Sequence, residues 1–218
     1  MPEPVTLVAL GGGLLGLMAH LAKRYFEAAK EVLDLVLGTI LLIVCTPVIL
    51  ICAVMIRLTS KGTVFYSQTR MGKGGKLFKM YKLRTMHADA ERDSGAVWAA
   101  RGDPRVIPMC RWMRRSHVDE LPQLINVIKG DMSLVGPRPE RPEIIKKLEG
   151  RYPDVSKRLA VRPGMTGLAQ VRNGYDTSVE SFRKKLEADL EYIAKRRWSM
   201  ELSILIRTLT KLRDKTAH

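Results

Sequence analysis

Between Leu35 and Ile56 the chain runs for 22 residues, LVLGTILLIVCTPVILICAVMI, without a single charge. As an α-helix rising ~1.5 Å per residue, this segment is about 33 Å long, close to the ~30 Å hydrocarbon core of a bilayer. A chain of 218 residues has little remaining surface with which to bury such a helix on every side, so the run is read as membrane-inserted. Pro47 sits in its middle, where it lacks an N–H and its ring crowds the preceding turn. Two topologies follow. A kinked helix crosses the bilayer, with Thr46 helping to satisfy the freed carbonyls. Alternatively, a sharper break at Thr46–Pro47 leaves two halves of about 15–18 Å, each too short to cross, and the segment leaves by the face it entered. Lys23, Arg24 and Lys30 precede the run, and Arg57, Lys61 and Arg70 follow it. The positive-inside rule therefore favours one side for both flanks, although Glu27, Glu31 and Asp34 dilute the first. The residues alone leave both topologies open.

Residues 5–22 are also uncharged, and only Glu3 stands before them, unlike the basic start of a secretory signal. They suggest a second membrane-touching helix, weakened by Gly11 to Gly13. Gly11, Gly13 and Gly16 spell GxGxxG after VTLVAL, but the helical pattern KRYFEAAKEVLDLVLG follows where a dinucleotide-binding unit needs a second strand.

Lys and Arg number 37 against 22 Asp and Glu, a net charge of +15, which points to anionic partners. A hydrophobic content of 46% excludes a disordered tail. Cys45, Cys52 and Cys110 are too scattered for a disulfide framework, and His20, His87 and His218 have no companions at zinc-ligand spacing. Nucleic acid is disfavoured as the partner: aromatics are 6%, no zinc-finger or RNP-like string is present, and the apolar run would have no role. A non-enzymatic membrane adaptor is the other alternative. Residues 57–115 hold 14 basic and 4 acidic groups, which places most of the excess charge just after the apolar run. There it suits anionic membrane lipids and phosphorylated substrates.

Past Ile56 the pattern is that of a compact domain. TVFYSQT (63–69) and LFKMYKLRTM (77–86) read as the strands of a basic β-hairpin, joined by the glycine-rich RMGKGGK, which is not a P-loop. The polar segment 87–103, with Asp89, Glu91 and Asp93, reads as a solvated helix. Short helices are expected over 121–128 and 142–151, each with proline early and glycine at its end. Residues 181–195 and 199–212 form amphipathic helices whose basic faces either lie on an anionic membrane surface or are ordinary solvated faces.

Functional residue types concentrate between Arg111 and Glu140. Asp119 and Glu120 open a helix, with Arg105, Arg111, Arg114 and Arg115 before them and Arg138 and Arg141 after. Arginine forks match phosphate oxygens bidentately, so several in one pocket can clamp a diphosphate. Carboxylates beside those phosphates call for a bridging Mg²⁺, which binds through one or two carboxylates plus substrate phosphates. Adjacent helical residues point about 100° apart, so one carboxylate can bind metal while the other attacks phosphorus or acts as base. Ser116, His117 and Asp119 are too close in sequence to assemble a triad.

These strings resemble the bacterial sugar transferase family, the small monotopic phosphoglycosyl transferases. The matching stretches are KEVLD (30–34), the apolar run with its central Pro47, VFYSQTRMGKGGKLFKMYKLRTM, DPRV (103–106), DELPQLINVIKGDMSLVGPRPE, RPGMTGLAQV (162–171), and the pair Asp189 and Tyr192. The resemblance implies an α+β, mainly helical fold. It consists of an N-terminal apolar segment (1–29), a re-entrant membrane helix broken at Thr46–Pro47 (30–57) and a cytoplasmic catalytic domain (58–218) with membrane-associated helices. It implies transfer of a sugar phosphate from a UDP-sugar to polyprenol phosphate at the bacterial inner membrane, releasing UMP, with Mg²⁺. Asp119 would be the nucleophile that becomes a covalent phosphosugar ester, and Glu120 the Mg²⁺ ligand. Arg114 would hold phosphate, with Arg138 and Arg105 candidates for the nucleotide or lipid phosphate. A homo-oligomer is compatible with the sequence. His117-Val118 stands where many relatives carry Ser-Leu, and Thr46 where Ser is common, which bears on sugar choice and kink geometry but leaves the Asp-Glu pair intact.

Overall fold

The computed structural model describes residues 4–87, 90, 103–173 and 179–213, with side chains from residue 16 onward except at 173, 179–181 and 212–213. It is mainly helical, with two small sheets. The expected solvated helix carrying Asp89, Glu91 and Asp93 falls almost wholly outside the described residues.

The apolar N-terminal part forms one helix, α1 (Pro4–Thr59), so the separate first helix expected over residues 5–22 is instead the beginning of the same element. Glycine weakens a helix but does not end it unless a cap or turn takes over, and none does at Gly11 to Gly13. The strand that a dinucleotide fold would need at VTLVAL is likewise helix. Helical structure also continues through Thr46 and Pro47. Pro47 deprives the Ile43 carbonyl of its partner, and the Thr46 hydroxyl donates to the neighbouring Leu42 carbonyl at 2.7 Å, a bond of the kind that bends helices without ending them. From residue 16 to 59, α1 is long and apolar enough to cross a membrane.

One stripe of α1 is covered by the rest of the molecule. Lys30, Asp34, Gly38, Leu42, Cys45, Ile49, Cys52 and Ile56 recur at steps of three and four, the spacing of a single helix face, and all are buried or half-buried. Ile49, Cys52 and Ile56 share a hydrophobic cluster with Leu83, Ile107, Cys110 and Met113. The opposite face leaves Ile43, Val44, Ile51 and Val54 more than half exposed. At Gly38 a methyl group would sit 3.1 Å from Val127, so the small residue lets α1 approach closely.

The predicted hairpin forms from β1 (Phe65–Met71) and β2 (Leu77–Leu83), paired antiparallel with Phe65 opposite Leu83 and Met71 opposite Leu77. Its turn holds Gly74 and Gly75 at φ +65° and +79°. Next comes α2 (Arg111–Arg115), then a 3₁₀ segment (Val118–Gln123) that runs into α3 (Leu124–Ile128), where one helix over 121–128 was expected. The second sheet is a parallel pair that the sequence reading missed, β3 (Ser133–Val135) with β4 (Gly164–Thr166). In the chain, α4 (Pro142–Glu149) and a 3₁₀ segment (Pro153–Ala160) lie between the two strands and pack on each other, and α5 (Leu168–Asn173) follows the second strand. The chain closes with α6 (Val179–Lys195) and α7 (Trp198–Arg213).

The two amphipathic helices part company. Helix α6 buries Phe182, Leu186, Asp189 and Tyr192, so its apolar face belongs to the core. Helix α7 buries Glu201 and Ile204 but leaves Trp198, Leu202, Ile206 and Leu209 at least two-fifths exposed. Its start meets α1 where the Trp198 and Phe26 rings lie 4.8 Å apart.

Candidate active site

The Asp-Glu pair is aimed by a sharp local turn. After α2, His117 takes a left-handed conformation (φ 56°, ψ 16°), and the chain re-enters a helix one residue later. Pro122 has no N–H to give the Val118 carbonyl, which favours the tighter 3₁₀ winding over a first α-turn. In that winding neighbours diverge by ~120°, and Asp119 and Glu120 enter different surroundings.

Glu120 is clamped by two cations. Arg138 donates from Nη2 to Oε1 at 2.5 Å and from Nη1 to Oε2 at 3.1 Å, a two-pronged fork. Lys82, from β2, adds a third bond to Oε1 at 2.8 Å. Burial alone would push the Glu120 carboxyl up, but Arg138 and Lys82 outweigh it and hold the group well below the ordinary range. Lys82 itself is pushed down by burial, partly offset by Glu120.

Asp119 is buried, 6% exposed, and feels Lys82, Arg114 and Arg138 through space rather than by hydrogen bonds. Burial raises its pKa to about 6, with the adjacent Glu120 charge adding to the shift and the three cations opposing it. A carboxylate so short of donors keeps its lone pairs available, and its ionised form is costly until something electropositive arrives. Phosphorus in a charge-neutralised diphosphate is such a centre.

Arg138 is held by its neighbours through the backbone. Its loop, Gly136–Glu140, contains two prolines, and its four successive carbonyls from residue 137 to 140 accept from three different elements, β1 supplying two of the donors. Pro137 O takes Gly164 N at 2.9 Å, and Arg138 O takes Arg158 Nη2 at 2.9 Å. Pro139 O takes Arg70 Nη1 at 3.0 Å, and Glu140 O takes Met71 N at 3.0 Å. Arg158 is itself fixed by Asp189 at 2.6 Å, both side chains nearly inaccessible. Gly136 and Gly164 are required by contact: a Cβ on Gly164 would fall 2.0 Å from Gly136 N, and one on Gly136 2.6 Å from Arg162 O.

The predicted residues are thus only partly gathered. Asp119, Glu120 and Arg138 come together. Arg114 stands beside them, its Nη1 3.4 Å from Thr85 Oγ1, within electrostatic reach of both Asp119 and Asp103. Arg105 is committed to Asp103, through Nε at 2.9 Å and Nη2 at 2.6 Å, and those bonds hold the Asp103 carboxyl down to about 2. Thr46 and Pro47 lie on the exposed part of α1. Lys82, Arg158 and Asp189 were not foreseen as members or supports of the site. A signal for Lys82 exists in LFKMYKLR: it shares strand parity with the buried Phe78 and Met80, so its charge sits on the inward face.

The residues present fit a magnesium ion. Two adjacent carboxylates supply hard oxygen donors, and three bonds to Glu120 leave part of its lone-pair capacity unused. Among the described residues no cluster of three metal-binding side chains occurs, so further ligands would have to come from substrate phosphates or water.

Comparison with known proteins bears on this geometry. The sequence profile described as bacterial sugar transferase matches residues 25–215. A protein of Caulobacter vibrioides named UDP-glucose:undecaprenyl-phosphate glucose-1-phosphate transferase is 43% identical over 190 residues, covering 85% of this chain and 70% of its own length. An Aeromonas hydrophila protein named UDP-N-acetylgalactosamine-undecaprenyl-phosphate N-acetylgalactosaminephosphotransferase is 40% identical over 177 residues, 81% of this chain but 41% of its own. The exopolysaccharide production protein PSS of Rhizobium leguminosarum bv. phaseoli is 37% identical over 185 residues, 83% of this chain and 92% of its own.

Proposed function

The chain belongs to the bacterial sugar transferase family, and on that premise we propose that it moves a sugar phosphate from a UDP-sugar to polyprenol phosphate, releasing UMP. The observation that carries the reading is the division within the dyad: Glu120 is tied to two cations, while Asp119 is buried, raised in pKa and, among the described residues, left without a side-chain hydrogen bond.

The proposed reaction uses that division. An ionised Asp119 oxygen attacks the sugar-bearing phosphorus. The phosphoanhydride bond breaks, UMP departs with the electron pair, and an aspartyl phosphosugar ester remains. A phosphate oxygen of the polyprenol carrier then attacks the same phosphorus, and the Asp119 carboxylate leaves. Both nucleophiles are already anionic, so neither step needs a proton abstracted. Arg114 and Arg138 supply positive charge for the phosphates, with Arg138 exchanging part of its hold on Glu120 for substrate. Arg105 joins them only by releasing Asp103. Mg²⁺, when bound, would neutralise diphosphate charge, with Glu120 its protein ligand.

The chain is proposed to act on the cytoplasmic face of the bacterial inner membrane, in the first membrane step of exopolysaccharide, O-antigen or glycoprotein glycan assembly. Helix α1 is proposed to enter and leave by that face, bending at Pro47. Its support is the covered stripe: a helix crossing alone would carry residues 45–56 clear of a water-facing domain, whereas Ile49, Cys52 and Ile56 pack on Cys110 and Met113. The exposed Trp198, Leu202, Ile206 and Leu209 of α7 would rest among the headgroups. Cysteines placed at Lys23 and Lys61 should react with an impermeant reagent from the same side; opposite sides would establish crossing instead.

The activity is tested with a panel of UDP-sugars, polyprenol phosphate and Mg²⁺, read as UMP. Dependence of UMP release on one UDP-sugar and on the polyprenol phosphate supports the reading; release from none of them overturns it.

A further inference from the structure

The end of the apolar helix and the end of the catalytic strand meet at one side chain. Arg84, one residue past β2, is 6% exposed. Its Nη1 donates to Lys61 O at 2.7 Å and its Nη2 to Ser60 O at 3.0 Å, the carbonyls that directly follow α1. Its backbone N donates to Val64 O at 2.8 Å. Among the described residues no carboxylate pairs with it, so the carbonyl dipoles at the negative end of α1 are what meet a buried guanidinium. Gly62 is shaped to the contact: its φ is +110°, and a Cβ there would lie 2.3 Å from Arg84 Nη1.

Along the same strand, Lys82 shares Arg84's parity and bonds Glu120, and the next residue, Thr85, accepts from Arg114. Three successive fastenings on one short stretch of chain therefore connect the exit of the apolar helix with the dyad and with its nearest phosphate-seeking arginine.

We infer that Arg84 is a positioning residue that locks the exit of the membrane helix to the catalytic strand, and thereby sets the height above the bilayer at which the Asp119–Glu120 pair meets a lipid-borne phosphate. The part concerning the lipid phosphate rests on the function proposed above; the mechanical coupling does not. An arginine that merely stabilised the domain would affect both substrates alike. One that sets height affects the substrate anchored in the bilayer.

The test uses the full chain in nanodiscs containing anionic lipid, comparing wild type with Arg84→Met, Arg84→Lys and Gly62→Ala by hydrogen exchange and kinetics. In Arg84→Met and in Gly62→Ala, amides in 57–62 and in 82–86 should lose protection together, while those of α4 keep it. The KM for polyprenol phosphate should rise roughly tenfold, about 1.4 kcal/mol, and that for the UDP-sugar stay within about twofold. Arg84→Lys, able to reach one carbonyl at a time, should fall between. The inference is overturned if only 82–86 loses protection, if neither segment does, or if both KM values rise equally. Should Arg84→Met fail to fold, the Lys and Gly62→Ala variants decide by the same criteria. Should wild type release no UMP from any UDP-sugar, the functional reading fails, and the exchange result still decides the coupling.

Discussion

Lys82 Nζ stands 2.8 Å from Glu120 Oε1, the same oxygen that accepts Arg138 Nη2. Two cations on one buried carboxylate keep it ionised, and both also lower the pKa of the adjacent Asp119 through space. Replacing Lys82 by Met removes one of them and leaves Glu120 less well compensated. UMP turnover should fall by roughly 10- to 100-fold, the loss of one charged contact that strengthens in the transition state. Arg at position 82 should restore part of it; full activity in Lys82→Met would remove the residue from the site.

Asp119→Asn should abolish turnover and at the same time stabilise the fold. The Asp119 pKa is raised to about 6 in the folded protein, above its ordinary 3.8. Its contribution is therefore fully present below about pH 4 and is lost as pH rises through about 6. At neutral pH the ionised group costs on the order of 3 kcal/mol. Asparagine carries no such charge, so the variant should melt several degrees higher at pH 7.5 and gain little at pH 4. A lower melting point at pH 7.5 would mean that the carboxylate is structural.

The same shift sets the pH profile. With Asp119 as nucleophile, kcat/KM should rise about tenfold per unit below pH 6 and level off above it. Lys82 holds the Asp119 pKa down, so Lys82→Met should move that limb to higher pH. A flat profile from pH 5 to 8 would contradict the assignment.

Arg158 and Asp189 form a buried pair whose free edge holds the Arg138 carbonyl. Asp189→Asn removes one partner and leaves a buried charge, at a cost of about 3–5 kcal/mol. Denaturant unfolding should show that loss, and the KM for the UDP-sugar should rise as the loop loosens. Loss of stability with an unchanged KM would confine the pair to folding.

What was legible in the sequence had a periodic or compositional signal. The hairpin, the apolar run and helices α4, α6 and α7 all announce themselves by spacing, and the Asp-Glu pair by its arginine neighbours. Pairing in space did not. The parallel contact of Ser133–Val135 with Gly164–Thr166 depends on two glycines about 30 residues apart that let backbones touch, and glycine spacing alone does not say which partner it admits. The left-handed His117 was hidden for a similar reason, since such a conformation is usually marked by glycine or asparagine. Arg105 shows the complementary case: its type and neighbourhood are readable in the sequence, but its pairing with Asp103, two residues before it, is not.

The most direct test of the account is the intact mass of the protein after mixing with Mg²⁺ and the UDP-sugar it accepts, with no polyprenol phosphate present. The account predicts a mass gain of one phosphosugar located on the Asp119 peptide, close to one UMP released per chain, and neither in Asp119→Asn. An unmodified chain, with UMP appearing only once polyprenol phosphate is added, would contradict it.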